Sequence, residues 1–280
     1  MAAATYAGVA GVNRKLTKIP VGVSGTNRNC KSAWAGVSGV NRQVFSSGTP
    51  LSARAVNSKI KIAVNGVLRN FIILHQGIPD SSIYDASCNG TWVWMETVFG
   101  DTDVCFSKSG SKNARYSEGR LHALLNGDFY DAIDSKVRSL IKQVKIPYYT
   151  AGNVDDPETG ADGLSTKVFA LSLREVNAPR MDDGAPLKAF ENAKTDLLDR
   201  EDLRAYDYTG DRSTYWFRTP YSATRARYLG YLEGGSSDLG PDGWHGAIRQ
   251  DECDDWHYAR PAFILPSATL TNDNGEIIIA

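Results

Sequence analysis

The sequence predicts an α+β protein in which a row of short β-hairpins precedes a larger globular domain. Three observations carry this. Residues Gly8-Val9-Ala10-Gly11-Val12-Asn13-Arg14 recur as Gly22-Val23-Ser24-Gly25-Thr26-Asn27-Arg28 and Gly36-Val37-Ser38-Gly39-Val40-Asn41-Arg42, the signature of a repeated supersecondary unit. Further along, apolar residues alternate between turn residues in several places, as strands require. One stretch, residues 121–144, spaces its apolar residues by three and four, as a helix requires.

Bulk composition narrows the partners. The chain has 280 residues, 42% hydrophobic and 22% charged, enough for one large or two modest domains with a core. Its net charge is −1 and its Lys and Arg form only short runs, so a nucleic-acid partner, which needs clustered cations, is not expected. Cys30, Cys88, Cys105 and Cys253 lie far apart with no CxxC pair, which predicts buried free thiols rather than a zinc or redox site. No segment has the ~18 apolar residues of a spanning helix, and the first six residues lack a signal-peptide pattern. Synthesis in the cytoplasm without membrane insertion is the expectation.

Each repeat copy has a small apolar pair, a Gly-centred turn and an Arg, and so predicts a small β-hairpin. One hairpin buries too little apolar surface to be stable alone. The copies must therefore pack on each other, on a partner protein or on symmetry mates, which makes this an assembly module. Arg14, Arg28, Arg42 and Arg69 are its candidate assembly residues, the last from a degenerate fourth copy, Ala63-Val64-Asn65-Gly66-Val67-Leu68-Arg69. Hairpins that need partners fit a homo-oligomer such as a trimer. Residues 46–57, rich in Ser, Gly, Pro and Ala, read as a linker. The module thus spans 1–57, with its last copy reaching about 70, and the display domain spans 71–280.

Ile60, Ile62 and Val64, then Val67, Phe71 and Ile73, predict two strands around the Asn65-Gly66 turn. Trp92 and Trp94 fall on one face of a strand, and core is the better reading for them. Cys88 has no His at a recognisable spacing and is read as a packed thiol rather than a nucleophile. The helix over 121–144 turns Phe129, Ile133, Val137, Leu140, Ile141 and Val144 inward, with Asn126 or Asp128 as cap and Pro147 as stop. Asp155, Asp156, Glu158 and Asp162 offer hard oxygens, but their spacing is not that of an EF-hand. A solvated loop is expected, with no metal and no cofactor. Residues 168–173 read as a buried strand and 187–203 as a shorter helical stretch. Residues 268–279 read as a closing hairpin whose Asn272, Asp273, Asn274 and Glu276 are explained by turn chemistry.

Residues 225–257 show no period of two or of 3.6, which predicts loops and short strands that display side chains. Their Tyr, Trp, Ser and Gly content is that of a recognition surface. The candidate ligand contacts are Tyr221, Arg225, Arg227, Tyr228, Tyr231, Asp238, Trp244, His245, Arg249, Asp251, Asp255, Trp256 and His257. The flanking segments Tyr215-Trp216-Phe217-Arg218-Thr219-Pro220-Tyr221 and Ala259-Arg260-Pro261-Ala262-Phe263-Ile264-Leu265-Pro266 read as a structural frame.

These flanks, with Tyr84-Asp85-Ala86-Ser87-Cys88-Asn89-Gly90-Thr91-Trp92, Leu125-Asn126-Gly127-Asp128-Phe129, Ile141-Lys142-Gln143-Val144-Lys145-Ile146-Pro147-Tyr148 and Val168-Phe169-Ala170-Leu171-Ser172, resemble in order a domain of unknown function from prophages of Gram-positive gut bacteria. The N-terminal copies resemble those preceding this domain in phage tail and minor structural proteins. The Trp-Phe-Arg-Thr-Pro and Arg-Pro-Ala segments are similar to those of C-type-lectin-like domains of the formylglycine-generating-enzyme type, a fold shared with receptor-binding proteins diversified by retroelements. Residues 221–258 contain no Asn, as adenine-directed mutagenesis of Asn codons would leave them. The resemblance implies a C-type-lectin-like C-terminal domain that displays a ligand surface. The Glu-Pro-Asn and Trp-Asn-Asp motifs of calcium-dependent lectins and a catalytic cysteine pair are missing, so neither calcium nor catalysis is carried over.

The resulting expectation is a phage virion protein of the tail, baseplate or fibre, joined to other tail proteins through its repeats and presenting a host-binding surface to a glycan or protein. An architectural virion protein without a host ligand is the alternative. A polysaccharide hydrolase using Asp251, Glu252, Asp254 and Asp255 is a weaker one.

Overall fold

The structure, a computed structural model, describes the backbone of residues 6–9, 12–15, 19–23, 26–30, 32–37 and 40–46, and residues 48–108, 111–150, 156–178, 182–198, 200–233 and 244–278. Side chains are described from residue 48 onward within these ranges, apart from 101, 102, 232, 233, 244 and 245.

The repeats form β1 (Tyr6–Val9), β2 (Val12–Lys15), β3 (Ile19–Val23), β4 (Thr26–Cys30), β5 (Ser32–Val37) and β6 (Val40–Ser46). They pair as three antiparallel hairpins, closed by Val9↔Val12, Val23↔Thr26 and Val37↔Val40. The register is the same in each because the sequence period places the same residues on either side of each turn.

After β7 (Thr49–Pro50) come β8 (Lys59–Val64), β9 (Val67–Gly77), β10 (Gly90–Met95) and β11 (Phe99–Cys105). Then follow β12 (Val144–Ile146), β13 (Leu164–Thr166), β14 (Val168–Phe169), β15 (Tyr215–Pro220), β16 (Arg225–Glu233) and β17 (Trp244–Glu252). The chain closes with β18 (Trp256–Ala259), β19 (Ala262–Leu265), β20 (Leu270–Thr271) and β21 (Ile277–Ile278). One five-stranded sheet runs β14-β19-β10-β9-β8 and the other β11-β18-β15-β16-β17. This is a β-rich α+β fold.

Strand pairing continues across the boundary expected near residue 57. β7 pairs with β20, and β8 and β9, with the fourth repeat copy at their turn, pair into the sheet of β10. Asn65 (φ 50°) and Gly66 (φ 76°) take the left-handed pair of angles that a two-residue turn demands.

Both large sheets are covered on both faces. Along β10, Val93 and Met95 enter one core with Phe71, Phe129, Trp216 and Phe263. Trp92 and Trp94 enter the other with Phe169, Tyr215, Phe217 and Ile264. The pleat of the strand sends alternate residues to opposite cores, so the expected core role of both tryptophans holds.

The single helix expected over 121–144 is instead broken. α1 (Arg120–Leu124), a π-turn (Leu125–Phe129) and α2 (Tyr130–Ala132) run on without a gap, and then Ile133 turns extended (φ −70°, ψ 139°) before α3 (Ser135–Arg138). The cause is tertiary pairing: the Asn65 amide donates to the Ala132 carbonyl, and the Asp134 amide to the Ala63 carbonyl. Asp134 then caps α3, accepting from the Lys136 and Val137 amides. Of the expected inward positions, Phe129, Ile133, Val137, Ile141 and Val144 are nevertheless buried, and Leu140 is partly buried against the same core. Neither Asn126 nor Asp128 caps the start. Asn126 sits in the π-turn and ties it to β13 and β14, with Oδ1 accepting from the Lys167 and Val168 amides and Nδ2 donating to the Val168 carbonyl.

Two other expectations are corrected. Among the described residues of 187–203, the helical structure is limited to short 3-10 turns at Lys188–Phe190 and Glu201–Leu203. The segment is drawn onto the edge of β17, where the Ile248 amide donates to the Leu197 carbonyl and the Arg200 amide to the Gly246 carbonyl. Residues 225–257 are chiefly strand: β16 and β17 pair without interruption from Arg225↔Glu252 to Glu233↔Trp244. Their middle is buried on both sides, so alternation is lost from the sequence. Gly230 and Gly246 complete the masking, since a Cβ there would lie 2.9 Å from the Tyr228 ring and 2.6 Å from the Arg200 carbonyl oxygen. The closing hairpin forms as expected, with Asn272 Oδ1 accepting from the Asn274 and Glu276 amides.

Candidate surface site and its buried frame

β15 is buried at all six positions, and Arg218 sits among them with no exposed side-chain surface. An arginine in such a place must have every N–H satisfied. Its Nη1 and Nη2 donate to Glu175 Oε2 (2.6 Å) and Oε1 (2.7 Å). Nε donates to the Pro147 carbonyl, Nη1 also to that of Ala170, and Nη2 also to that of Asp183. Glu175 further accepts from the Tyr84 hydroxyl and the Ser172 amide. Thr219 Oγ1 donates to Asp183 Oδ2 (2.7 Å), while Asp183 Oδ1 is buried without a partner. Burial pushes the Asp183 carboxyl up to about 6 against the opposing pull of Arg218.

A second buried arginine locks the other flank. Arg260 donates to the carbonyls of Met95, Leu203, Arg204 and Glu96, and lies 3.3 Å over the Trp94 ring. The two sequence flanks are therefore a frame, as expected.

Of the expected contacts, Tyr221 and Trp256 are exposed, at 39% and 53%. Each is met by an arginine: Arg227 lies 4.4 Å over the Tyr221 ring and Arg120 lies 5.4 Å over the Trp256 ring. Ion pairs also occur in neighbouring segments. Arg225 donates to Glu252 (2.8 Å), and Lys112 lies 3.7 Å from both Glu252 and Asp254. Hydrogen bonding to Asp251 raises the Asp255 carboxyl. Arg120 and Lys112 were not found from the sequence. They lie more than a hundred residues from Trp256 and Glu252, and no local pattern announces such a meeting.

Other expected contacts are structural. Tyr228 (8% exposed) and His257 (8% exposed) stack on each other at 3.8 Å, with Trp216 edge-on to the imidazole at 4.5 Å. Tyr231 donates to the Ala205 and Ser213 carbonyls. These three are removed from the contact surface because the sheet turns them toward neighbouring segments. Arg249 is exposed and cross-strand to Tyr228. Asp251 faces His257 at 3.3 Å.

Asp238 and the side chains of Trp244 and His245 lie outside the described residues. The β17 backbone places Trp244 eight residues from Glu252, about 26 Å along an extended strand. Among the assembly candidates, the side chains of Arg14, Arg28 and Arg42 lie outside the described residues, and Arg69 packs within the domain, 3.6 Å over the Tyr208 ring.

His257 gives a pH-dependent test. A neutral ring with its proton on Nε2 satisfies both neighbours, since Nδ1 then accepts from Thr214 Oγ1 (2.8 Å) and Nε2 faces Asp251. Burial pulls the imidazole down to about 4. A histidine depressed below its unfolded value of about 6.5 stabilises the fold above that value, and the contribution is lost as pH falls through 4. The loss approaches about 3 kcal/mol. His257→Phe is expected to remove this contribution from urea-unfolding midpoints taken between pH 7 and 4, so that stability changes with pH by a different slope from the wild type. An unchanged slope would assign it to another group.

Cys88, Cys105 and Cys253 are buried and free, as expected, and burial pushes Cys88 and Cys253 to about 12. The Cys30 side chain lies outside the described residues, as does Asp155 of the acidic loop. Among the described residues, no three His, Cys, Asp or Glu side chains are grouped to hold a metal, and no helix is long and apolar enough to cross a membrane.

A family model described as a domain of unknown function (DUF6273) matches residues 89–267, from β10 to just past β19. No curated protein and no solved structure matches the chain.

Proposed function

The chain belongs to the DUF6273 family of domains of unknown function, and from its own surface we propose that it is a recognition protein of a phage virion, of tail, baseplate or fibre. The single observation that carries this is the pair of exposed aromatics, Trp256 and Tyr221, each faced by an arginine. Exposed aromatic and arginine side chains on a rigid frame are the usual carriers of binding energy at recognition surfaces. A host surface glycan or protein is the proposed ligand. The N-terminal hairpins are the proposed attachment to other tail proteins, and the C-type-lectin-like assignment of the display domain belongs to the same proposal.

The test is binding of the purified chain to Gram-positive cell-wall preparations, compared with Trp256→Ala. Removing a central aromatic is expected to weaken binding by at least about 30-fold, since such residues contribute 2 kcal/mol or more. The unfolding midpoint is expected to stay unchanged because the ring is half exposed. Equal binding by the variant would take this patch out of the contact.

A further inference from the structure

Arg120 reaches the exposed Trp256 from a distant part of the chain, and its backbone is tightly held there. On one side Gly119 passes so close to the end of β11 that a Cβ would lie 2.3 Å from the Phe106 carbonyl oxygen. On the other, the Leu121 amide donates to that same oxygen and the Leu121 side chain is fully buried. Phe106 follows Cys105, the cross-strand neighbour of Trp256. The main chain thus sets the guanidinium beside the indole, 5.4 Å from the ring. Its hydrogen-bonding capacity is unused. Lys112 meets Glu252 and Asp254, Arg115 meets Glu118, and Arg225 meets Glu252. Arg120 is exposed, meets no carboxylate among the described residues, and its guanidinium donates no hydrogen bond there. The acidic residues next to Trp256 in the chain are engaged elsewhere, Asp254 with Lys112 and Asp255 with Asp251.

We infer that Arg120 is a ligand contact of the Trp256 surface and that the ligand is an anionic glycan, which brings a phosphate or carboxylate to Arg120 and lays the apolar face of a sugar ring on the indole. The inference rests on the recognition reading above and adds the charge of the ligand to it. A guanidinium presents five N–H donors in a fork that matches two oxygens of one carboxylate or phosphate. Left without a protein partner, that fork is available to a ligand, and an anion is the group it fits best. An exposed aromatic and one cation about 5 Å apart make a small site, on the scale of a single sugar and its acidic substituent. A protein partner would bury about 800 Å² on each side around an apolar centre, whereas the residues placed beside Trp256 are Arg120 and the acidic turn of Asp254 and Asp255.

The experiment is binding of the full-length chain to purified Gram-positive cell walls at low and at high salt, with thermal unfolding alongside. Arg120→Gln is expected to weaken low-salt binding at least about tenfold, as loss of a hydrogen bond between charged groups does, and to reduce the salt dependence shown by the wild type. Arg120→Lys is expected to recover only part of the affinity, because it keeps the charge and loses the fork. The unfolding midpoint is expected to hold in both variants, since the side chain is exposed and bonds to nothing in the fold. Wild-type binding is expected to fall on walls stripped of phosphodiester polymers by hydrofluoric acid if the anion is a phosphate, and on walls with amidated carboxyls if it is a carboxylate. Binding that survives both treatments, or that protease treatment of the walls abolishes, overturns the inference. So does equal binding by Arg120→Gln, and if Trp256→Ala still loses binding the recognition reading stands without it. Failure of the wild type to bind walls at all overturns both.

Discussion

Arg218→Met is expected to lower the stability of the domain by about 3–5 kcal/mol, the cost of stranding one partner of a buried pair. The variant leaves the Glu175 carboxyl at 0% exposure without its cation and with only the Tyr84 hydroxyl and the Ser172 amide as donors. It also strips the Pro147, Ala170 and Asp183 carbonyls of their donor. Against a total stability of about 5–15 kcal/mol, that is a large fraction. Arg218→Lys is expected to recover little, because an ammonium cannot reproduce the two-pronged contact with a carboxylate. The double variant Arg218→Met, Glu175→Gln is expected to lose less than the sum of the two single changes, since it removes both charges together. Urea-unfolding midpoints decide this. A loss below about 1 kcal/mol for Arg218→Met would mean that the pair holds nothing together.

Asp183 gives the second large effect, with a sign opposite to that of most carboxylates. Its folded value of about 6 lies above the usual carboxyl range because of burial, so the folded state holds a proton that the unfolded chain releases near pH 4. Stability therefore falls as pH rises from about 4 to 6, and at neutral pH about 3 kcal/mol has been lost. Asp183→Asn keeps an oxygen for the Thr219 hydroxyl and puts no charge in the site. It is expected to be more stable than the wild type at pH 7 and no more stable at pH 4. The His257 slope runs the other way over an overlapping window, so the wild-type profile is expected to be shallow. Asp183→Asn should expose the rise with pH and His257→Phe the fall. Identical pH profiles for the wild type and Asp183→Asn would place the Asp183 carboxyl in the ordinary range.

Much of the fold was legible where the signal was local. The Asn65-Gly66 turn, the repeat hairpins, Trp92 and Trp94 in the core and the Asn272 turn each depend on a few neighbouring residues whose angles or alternation permit little else. The inward positions of residues 121–144 were legible too, because a spacing of three and four is set by burial. The break at Ile133 was not, because it answers to two hydrogen bonds with a turn some seventy residues earlier. The strands β16 and β17 were hidden for a related reason. A strand buried in the middle, solvated at one end and interrupted by Gly230 and Gly246 shows no single period.

The candidate site divides along the same line. That residues 221–257 are rich in aromatic and basic groups is read from composition and needs no coordinates, whereas the exposure of Tyr221 and Trp256 is read from the structure. Tyr228 and His257 have the same composition and are instead stacked inside. Which face a side chain takes is fixed by strand register, and the register here is set by partners from other parts of the chain. The sequence by itself thus determined the repeat unit, its turn and the residue types available for recognition. Only the tertiary structure decided that Arg120 and Lys112 join them, that Arg218 and Arg260 are buried clamps, and that the fourth hairpin is built into the sheet. Each of these depends on desolvation and long-range pairing, which a linear pattern does not encode.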